Sequence, residues 1–203
     1  MYIQITNRCN MACEHCGMDS TPNGKHMPRK TYEKALELAE QMGEYVFLGG
    51  GEPTVHPDFW GFLGLALGAS ESVAMVTNGK RTEDALKLAR LAARGVLTVD
   101  LSQDTYHEKI RPEVVKAFRV DGDRWNRPEN DRRSIRTVDQ IIKSGRAEKN
   151  GIYTTDDDCI CPEIFVNPQG RIWGCGCKVK SLGTVWEPDL DGFEPEYSCT
   201  RGE

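Results

Sequence analysis

The sequence predicts an α/β protein: a partial barrel of parallel strands followed by a small cysteine-rich module. Short apolar strands alternate with amphipathic helices in the first half, and the later strands begin about 25 residues apart, the size of a strand–helix unit in a parallel sheet. Four such units use about half of the 203 residues, which argues against a complete eight-fold barrel. Five of the eight cysteines lie between Cys159 and Cys199, so we predict a core over residues 1–155 and a metal-stabilised module over residues 156–203.

Four strands are predicted in the first half of the chain. They cover residues 2–6, 45–50, 72–79 and 96–102. The first alternates apolar and polar residues, and the second is a continuous apolar run that ends in glycines, as buried parallel strands often do. Polar residues follow each of these strands, so we expect functional side chains at the carboxyl edge of the sheet.

Three helices separate these strands. We predict that Thr31 caps the first and that Gly43 ends it. Its apolar residues recur at helical spacing: Tyr32, Ala35, Leu36, Ala39 and Met42. Asp58 is predicted to begin a buried helix over Phe59–Ala69, and Thr82 to cap the third helix.

The second half of the chain is less regular. We predict a helix over Glu113–Arg119, a polar loop over residues 121–131, and a strand or strand–helix pair within residues 133–142. Asn167–Gly170 is predicted to form a β-turn between two strands.

The composition narrows the function class. The net charge is −5, whereas proteins that bind a long nucleic-acid duplex usually present a basic face, so the charge disfavours that function. The apolar run at Tyr2–Thr6 is too short for a secretory signal, and Phe59–Ala69 is too short to cross a bilayer. We therefore expect a cytoplasmic protein without membrane association, in which thiols stay reduced and serve metal binding or catalysis.

Three cysteines follow the first strand directly. Cys9, Cys13 and Cys16 lie on the loop at the carboxyl end of that strand. Three thiolates in a compact loop can hold three irons of a [4Fe–4S] cluster and leave the fourth iron open to a ligand from outside the protein. The alternative is a zinc site completed by His15 or by a remote cysteine.

The spacing Cys-x3-Cys-x2-Cys resembles the radical S-adenosylmethionine (SAM) superfamily, and the residues after the second strand add to that resemblance. Gly50, Gly51, Glu52 and Pro53 match the superfamily's GGEP motif. The resemblance implies that this motif binds the amino group of SAM. Glycines allow close approach of the backbone, and a carboxylate or free carbonyls can accept hydrogen bonds from an ammonium group.

The ends of the third and fourth strands also resemble the superfamily. The resemblance implies that Asn78, Ser102 and Asp104 contact SAM and that His107 and Arg111 support the loop. The alternatives are that Asn78 takes a left-handed turn and that Asp104 caps the next helix. The superfamily's adenine-binding motif on the fifth strand has no clear counterpart here.

The remaining cysteines form a second group near the C-terminus. They are Cys159, Cys161, Cys175, Cys177 and Cys199. This region resembles the SPASM or Twitch auxiliary-cluster region of radical SAM enzymes, which implies a second [4Fe–4S] cluster, although the doubled Cys-x-Cys spacing departs from the usual form. A structural zinc site with four cysteine ligands is the alternative, and one cysteine could remain free as a hydrogen-atom or proton donor.

The resemblance implies an enzyme that cleaves SAM reductively to a 5′-deoxyadenosyl radical and abstracts a hydrogen atom from a peptide or nucleotide-type substrate. It implies a flavodoxin- or ferredoxin-like electron donor, and the open side of a partial barrel suits a bulky substrate. Only eight residues precede Cys9, so we expect no N-terminal leader-binding domain. Two alternatives are an activase that installs a glycyl radical on a partner protein and a non-enzymatic zinc-binding module.

Overall fold

A computed structural model describes residues 1–120, 128–138, 140–154, 164–176, 178, 180–191 and 193. Its strands are β1 (Tyr2–Thr6), β2 (Val46–Gly50), β3 (Val73–Thr77), β4 (Thr98–Ser102), β5 (Arg133–Arg136), β6 (Phe165–Val166), β7 (Arg171–Trp173), β8 (Ser181–Thr184) and β9 (Glu187–Pro188). Its helices are α1 (Arg29–Gln41), α2 (Phe59–Ala69), α3 (Thr82–Ala93), α4 (Pro112–Phe118) and α5 (Gly145–Asn150).

The strands form a single sheet in the order β5-β4-β3-β2-β1-β6-β7-β8-β9. The pairs from β5 to β6 are parallel, and β6 to β9 continue the sheet as antiparallel hairpins. This arrangement confirms the predicted α/β class with a parallel core. The carboxyl ends of β1 to β5 meet at one edge, so the loops that follow them are brought together.

One face of the sheet is buried under the helices. Ile3, Leu48, Met75, Val99 and Leu101 have almost no exposed surface and belong to one apolar cluster with the buried faces of α1 to α4. Side chains alternate between the two faces of a strand, so Tyr2 and Phe47, the neighbours of Ile3 and Leu48, lie on the opposite face. That face is the inner wall of the partial barrel.

Two predicted helix caps were wrong. α1 begins at Arg29 after the extended residue Pro28, whose carbonyl accepts a hydrogen bond from Tyr32. Thr31 is buried instead, with its methyl group near Gly170 of the β6–β7 turn. α3 has Arg81 at its cap position because the Arg81 carbonyl accepts the first helical hydrogen bond, so Thr82 is already helical.

The other predicted boundaries agree more closely with the structure. Gly43 follows the end of α1 with a φ of 66°. Asp58 stands at the cap position of α2, although its side chain makes no capping hydrogen bond. The predicted helix over Glu113–Arg119 is α4, shifted by one residue at each end.

The C-terminal strands join the core through β6. Tyr2 pairs with Phe165 and Ile3 with Val166, which makes β6 a parallel neighbour of β1. The predicted turn at Asn167–Gly170 connects β6 to β7 and is closed by a hydrogen bond from the Gly170 amide to the Asn167 carbonyl at 2.9 Å. The predicted boundary at Asp156 and most of the predicted polar loop, residues 121–127, lie outside the described residues.

In the part of the chain that the structure describes, no helix has both the length and the apolar character needed to cross a membrane.

Candidate active site

A cavity of about 270 Å³ opens at the carboxyl edge of the parallel strands. The sequence-predicted residues that line it are Cys9, Cys13, Cys16, Gly50, Gly51, Glu52, Pro53, Asn78 and Ser102. His15, His107, Arg136, Tyr2 and Phe47 also line it. The cavity therefore brings together segments as far apart in sequence as Cys9 and Arg136.

The three cysteine thiols of the first loop are free and face this cavity. The Cys9 sulfur accepts a hydrogen bond from the Met11 amide at 3.4 Å, and the Asn78 side chain lies 3.7 Å from it. Burial raises the pKa of the Cys9 thiol to about 11. Burial also raises the pKa of Cys13, and the charge of Arg146 opposes that rise. Metal binding at these thiols would release protons.

The loop after β2 packs backbone against backbone on the cysteine loop. The Gly51 amide donates to the Thr6 carbonyl at 2.9 Å, and the Glu52 amide donates to the Arg8 carbonyl at 3.0 Å. A Cβ atom on Gly50 or Gly51 would come within 2.4 Å of the Thr6 or the Arg8 carbonyl oxygen, respectively. Glycine is thus required at both positions, because the end of β1 and the loop that follows it (residues 7–28, the cysteine loop) approach so closely. The sequence alone did not reveal this steric requirement.

Glu52 is a buried carboxylate that connects two loops. Its Oε1 accepts hydrogen bonds from the Thr54 amide at 3.2 Å, the Thr54 hydroxyl at 2.7 Å and the Thr77 hydroxyl at 2.8 Å. Its Oε2 accepts one from the Asn78 amide at 2.7 Å. Burial raises the pKa of Glu52, and these four donors act against the rise. A direct contact between Glu52 and SAM stays a prediction.

Asn78 joins the third strand to the cysteine loop. Its side-chain amide donates to the Asn10 side-chain oxygen at 2.9 Å, besides lying near the Cys9 sulfur. The left-handed residue at this turn is Gly79, with a φ of 70°, so the alternative that Asn78 itself takes a left-handed conformation was wrong. A contact between Asn78 and SAM stays a prediction.

Asp104 organises the loop after β4. Its Oδ1 accepts hydrogen bonds from the Tyr106 amide at 2.8 Å, the His107 amide at 3.2 Å and the His107 ring at 2.7 Å, and its Oδ2 accepts one from the Val138 amide at 3.2 Å. Burial alone would raise the pKa of Asp104, but the bonds from His107, Tyr106 and Val138 hold it below its usual value.

The alternative role of Asp104 as a helix cap was wrong, because the next helix, α4, begins at Pro112 with Arg111 at its cap position. The Arg111 side chain is 71% exposed and lies 3.6 Å from Glu113. Ser102 lies at the cavity wall, and His107 rather than Asp104 extends to it.

Two features of the inner wall were missed in the sequence. The first is a histidine pair: the rings of His15 and His107 meet edge to face at 4.8 Å, and His15, Asp104 and His107 place potential ligand atoms within 4.8 Å of one another. The Nδ1 atom of His15 is buried without a hydrogen-bond partner. Only the spacing of His107 from Asp104 hinted at this group.

The second is a row of four aromatic rings at paired positions of adjacent strands. We call it the aromatic row: Phe47 on β2, Tyr2 on β1, Phe165 on β6 and Trp173 on β7. Successive ring centroids lie 5.3, 5.2 and 5.9 Å apart, and the first three rings are nearly parallel. The Tyr2 hydroxyl accepts a hydrogen bond from the Gly50 amide at 2.9 Å. This bond links the row to the loop after β2.

Of the five predicted tail ligands, only Cys175 lies among the described residues. It follows β7 with a partly buried, free thiol. Cys159, Cys161, Cys177 and Cys199 lie outside the described residues, so the second metal site stays a prediction.

The residues present fit an iron–sulfur cluster with an open iron. Three thiols of one loop line one cavity, and the wall beside them carries uncharged amides and the unpartnered His15 nitrogen. This donor set suits iron bound by cysteine, with room for a further ligand in the cavity.

Residues 3–155 match the family model of the Radical SAM superfamily. This chain belongs to the radical SAM superfamily. The match covers strands β1 to β5, apart from Tyr2, and all loops that line the cavity.

Curated relatives match between half and about two thirds of this chain. A stretch of 103 residues is 38% identical to the mycofactocin maturase MftC of Mycobacterium ulcerans, covering 50% of this chain and 28% of the maturase. A stretch of 153 residues is 29% identical to the GTP 3′,8-cyclase of Shewanella denitrificans, covering 70% of this chain and 40% of the cyclase. The chain thus spans less than half the length of either relative.

Solved structures share the fold over nearly the whole chain. BtrN in complex with AdoMet and 2-DOIA matches with a TM-score of 0.60 at 14% identity, covering 94% of this chain and 79% of BtrN. SuiB of Streptococcus suis bound to S-adenosylmethionine matches with a TM-score of 0.59 at 14% identity, covering 98% of this chain and 65% of SuiB. These likenesses support the predicted partial barrel of parallel strands, to which the structure adds antiparallel C-terminal strands.

Proposed function

We propose that this protein is a radical SAM enzyme that abstracts a hydrogen atom from a peptide or nucleotide-type substrate. The observation that carries the proposal is the convergence of three free thiols, the loop after β2 and Asn78 on one cavity. Bound at these thiols, a [4Fe–4S] cluster would supply the electron that breaks a carbon–sulfur bond of SAM and produces the 5′-deoxyadenosyl radical.

The residues around the cavity would hold and orient the reactants. Cys9, Cys13 and Cys16 would bind three irons and leave one iron open to SAM. The backbone carbonyls after β2 would accept hydrogen bonds from the SAM ammonium group, because the Glu52 carboxylate is already engaged by four donors. Ser102 and Asn78 supply further polar groups at the same wall.

The aromatic row would form the substrate side of the cavity. Tyr2 and Phe47 line the cavity together with the cysteines, so a group resting on their rings would lie close to the radical. Aromatic faces favour stacking with a planar or apolar group. Both an amino-acid side chain and a nucleobase present such a group. The similarity to a GTP 3′,8-cyclase supports a nucleotide-type substrate.

The electron donor, the second metal site, the cellular environment and the division into two parts are also proposals. We infer a flavodoxin- or ferredoxin-like electron donor, a second cluster or a zinc ion held by the tail cysteines, and a reducing, cytoplasmic environment that keeps the thiols free. The division into a core over residues 1–155 and a module over residues 156–203 belongs to the same proposal.

The test replaces one thiol of the first loop. Cys13→Ala is expected to abolish 5′-deoxyadenosine formation from SAM under dithionite, because the cluster loses one of three ligands, while circular dichroism stays unchanged. Cys175→Ala is the matched control, since it removes a thiol of the tail and should leave this cleavage intact. The measurement is anaerobic chromatography of the nucleoside products together with iron and sulfide analysis.

Two results would contradict the proposal. One is undiminished 5′-deoxyadenosine formation by Cys13→Ala. The other is about two equivalents of zinc and no sulfide in protein purified anaerobically, which would favour a zinc-binding module, since four-coordinate zinc sites are closed by protein ligands. Mass measurement of products after anaerobic turnover with candidate peptides and nucleotides would then identify the substrate class.

A further inference from the structure

The short helix α5 lies against the cysteine loop and binds its backbone. Arg146 makes three of the contacts: its amide donates to the Cys16 carbonyl at 2.8 Å, its Nη1 donates to the Cys13 carbonyl at 2.8 Å, and its Nη2 donates to the Ser20 carbonyl. One residue thus holds the carbonyls of two cysteines of the first loop.

Neighbouring residues extend this contact along the loop. The Ser144 hydroxyl donates to the Gly17 carbonyl at 3.1 Å, and the Asn150 side chain donates to the Glu14 carbonyl at 3.1 Å. Gly145 has a φ of 58°, and a Cβ atom there would lie 2.3 Å from the Gly17 carbonyl oxygen. A side chain at position 145 would force the helix away from the loop.

The contact is specific to the geometry of arginine. The guanidinium group is planar, always charged, and offers several N–H donors in a fixed fork, so it can bind two carbonyls at once. The Arg146 side chain is 19% exposed, which limits competition from water, and its Nε lies 3.5 Å from the Asp19 carboxylate. Lys149 pairs with the same carboxylate, so the two cations and one acid leave a net positive charge at this end of the loop. A six-residue helix has little stability of its own, so its position depends on these bonds and on the burial of Ala147.

We propose that Arg146 is a positioning residue that holds the cysteine loop in its cluster-binding shape and keeps a positive charge beside the cluster. The inference rests on the proposed cluster at Cys9, Cys13 and Cys16. The held carbonyls restrict the backbone at Cys13 and Cys16, which slows the loss of iron. The fixed charge favours the reduced cluster, which is one electron more negative, and so raises its reduction potential.

The experiment compares Arg146→Gln, Arg146→Lys and Lys149→Gln in the full chain. Lys149 is the matched control because it lies on the same helix and pairs with the same Asp19 carboxylate as Arg146, but contacts no cysteine carbonyl in the described structure. The readouts are the rate of iron transfer to a chelator under anaerobic conditions and the midpoint potential from a titration followed by electron paramagnetic resonance. A variant with Cys9, Cys13 and Cys16 all replaced by alanine gives the signal of any tail cluster, which is subtracted.

Arg146→Gln is expected to lose iron about tenfold faster, because two charge-assisted hydrogen bonds disappear. At a fixed applied potential, the ratio of reduced to oxidised cluster in this variant should fall by up to tenfold. For a one-electron couple, a tenfold fall corresponds to a midpoint potential about 59 mV lower. Arg146→Lys should restore the potential through its charge but restore iron retention only in part, since an ammonium group lacks the planar fork. Lys149→Gln should remain within about twofold of the wild type in both, because exposed ion pairs contribute little.

The inference would be overturned if Arg146→Gln retained iron as well as the wild type and had the same midpoint potential. It would also be overturned if Lys149→Gln changed both quantities as much as Arg146→Gln. Circular dichroism of the metal-free proteins shows whether Arg146→Gln folds. If it does not, the inference is tested by Arg146→Lys, which should keep the wild-type potential but lose iron faster. A wild-type protein without any cluster signal that depends on the three cysteines would instead contradict the proposed function, so the two failures are distinguishable.

Discussion

At the scale of single residues, two acids hold this site together: the buried Glu52 and the partly buried Asp104. Glu52 and Asp104 each accept four hydrogen bonds from the protein, and each joins two segments that are distant in sequence. Both occupy motif positions that resemblance assigns to SAM binding. Their contacts indicate that these acids fix the shape of the loops around the ligand, a role that the residue type alone could not reveal.

Asp104→Asn tests this role through its pH dependence. Because the folded pKa of Asp104 is lowered, the ionised carboxylate stabilises the fold above its ordinary pKa of 3.8, and that stability is lost as the pH falls through the lower, folded value. We expect the variant to have a free energy of unfolding about 1–3 kcal/mol lower at pH 7, with the difference shrinking below pH 3.8. Denaturant titrations across the pH range measure it.

Glu33→Gln is the control for that comparison, because the exposed pair of Glu33 with Arg29 contributes about 0.2–1 kcal/mol at most. A difference between Asp104→Asn and the wild type that stays constant from pH 7 to pH 3 would contradict the role assigned to the ionised carboxylate.

At the scale of elements, the site depends on the contact between two loops. The loop after β1 supplies the thiols, and the loop after β2 holds it through backbone hydrogen bonds from Gly51 and Glu52. The strands that carry these loops were predicted because their apolar runs are distinct. The exact starts of α1 and α3 were not, because Thr31 is drawn into packing near Gly170 and Arg81 supplies the first helical carbonyl.

Gly51→Ala tests the contact between the loops. The new Cβ atom would lie 2.4 Å from the Arg8 carbonyl oxygen, so the cysteine loop must move. We expect a loss of about 1–3 kcal/mol in the free energy of unfolding and faster release of iron from the loaded protein. Chemical denaturation and anaerobic chelator assays measure the two effects.

Gly64→Ala is the matched control for Gly51→Ala. Gly64 lies in α2, and a Cβ atom there would meet no neighbouring atom within 4 Å beyond the helix's own backbone. Alanine at this position should therefore stabilise the helix by up to about 1 kcal/mol. Equal effects of the two substitutions would show that the loop contact is not under steric constraint.

At the scale of the whole molecule, the C-terminal strands complete the inner wall. Phe165 and Trp173 come from β6 and β7, yet they continue the row that Phe47 and Tyr2 begin on β2 and β1. The core and the C-terminal strands therefore contribute to one row of packed rings. Tyr2 and Phe47 line the cavity, whereas Phe165 is buried behind them with Lys178 over its ring.

Phe47→Ala tests the proposed substrate role of that row. With the substrate identified, we expect its conversion to fall about tenfold, since aromatic contacts contribute roughly 0.5–1.5 kcal/mol beyond burial. Cleavage of SAM under dithionite without substrate should stay within about twofold of the wild type. Chromatography of 5′-deoxyadenosine and of the modified product gives both rates.

Trp186→Ala is the control, since Trp186 is an exposed aromatic residue at the β8–β9 turn, away from the row. Equal losses of SAM cleavage and substrate conversion in Phe47→Ala would contradict a substrate-specific role for the row.

The sequence by itself determined the superfamily, the parallel α/β class and the set of loops that carry the chemistry. These features depend on local signals: apolar periodicity, glycine turns and the spacing of Cys9, Cys13 and Cys16. Only the tertiary structure decided what holds those loops. Three sets of contacts join residues far apart in the chain: the hydrogen bonds of Arg146 to the cysteine carbonyls, the hydrogen bonds of Glu52 and the aromatic row. Such contacts depend on strand register and packing, which no local sequence pattern encodes.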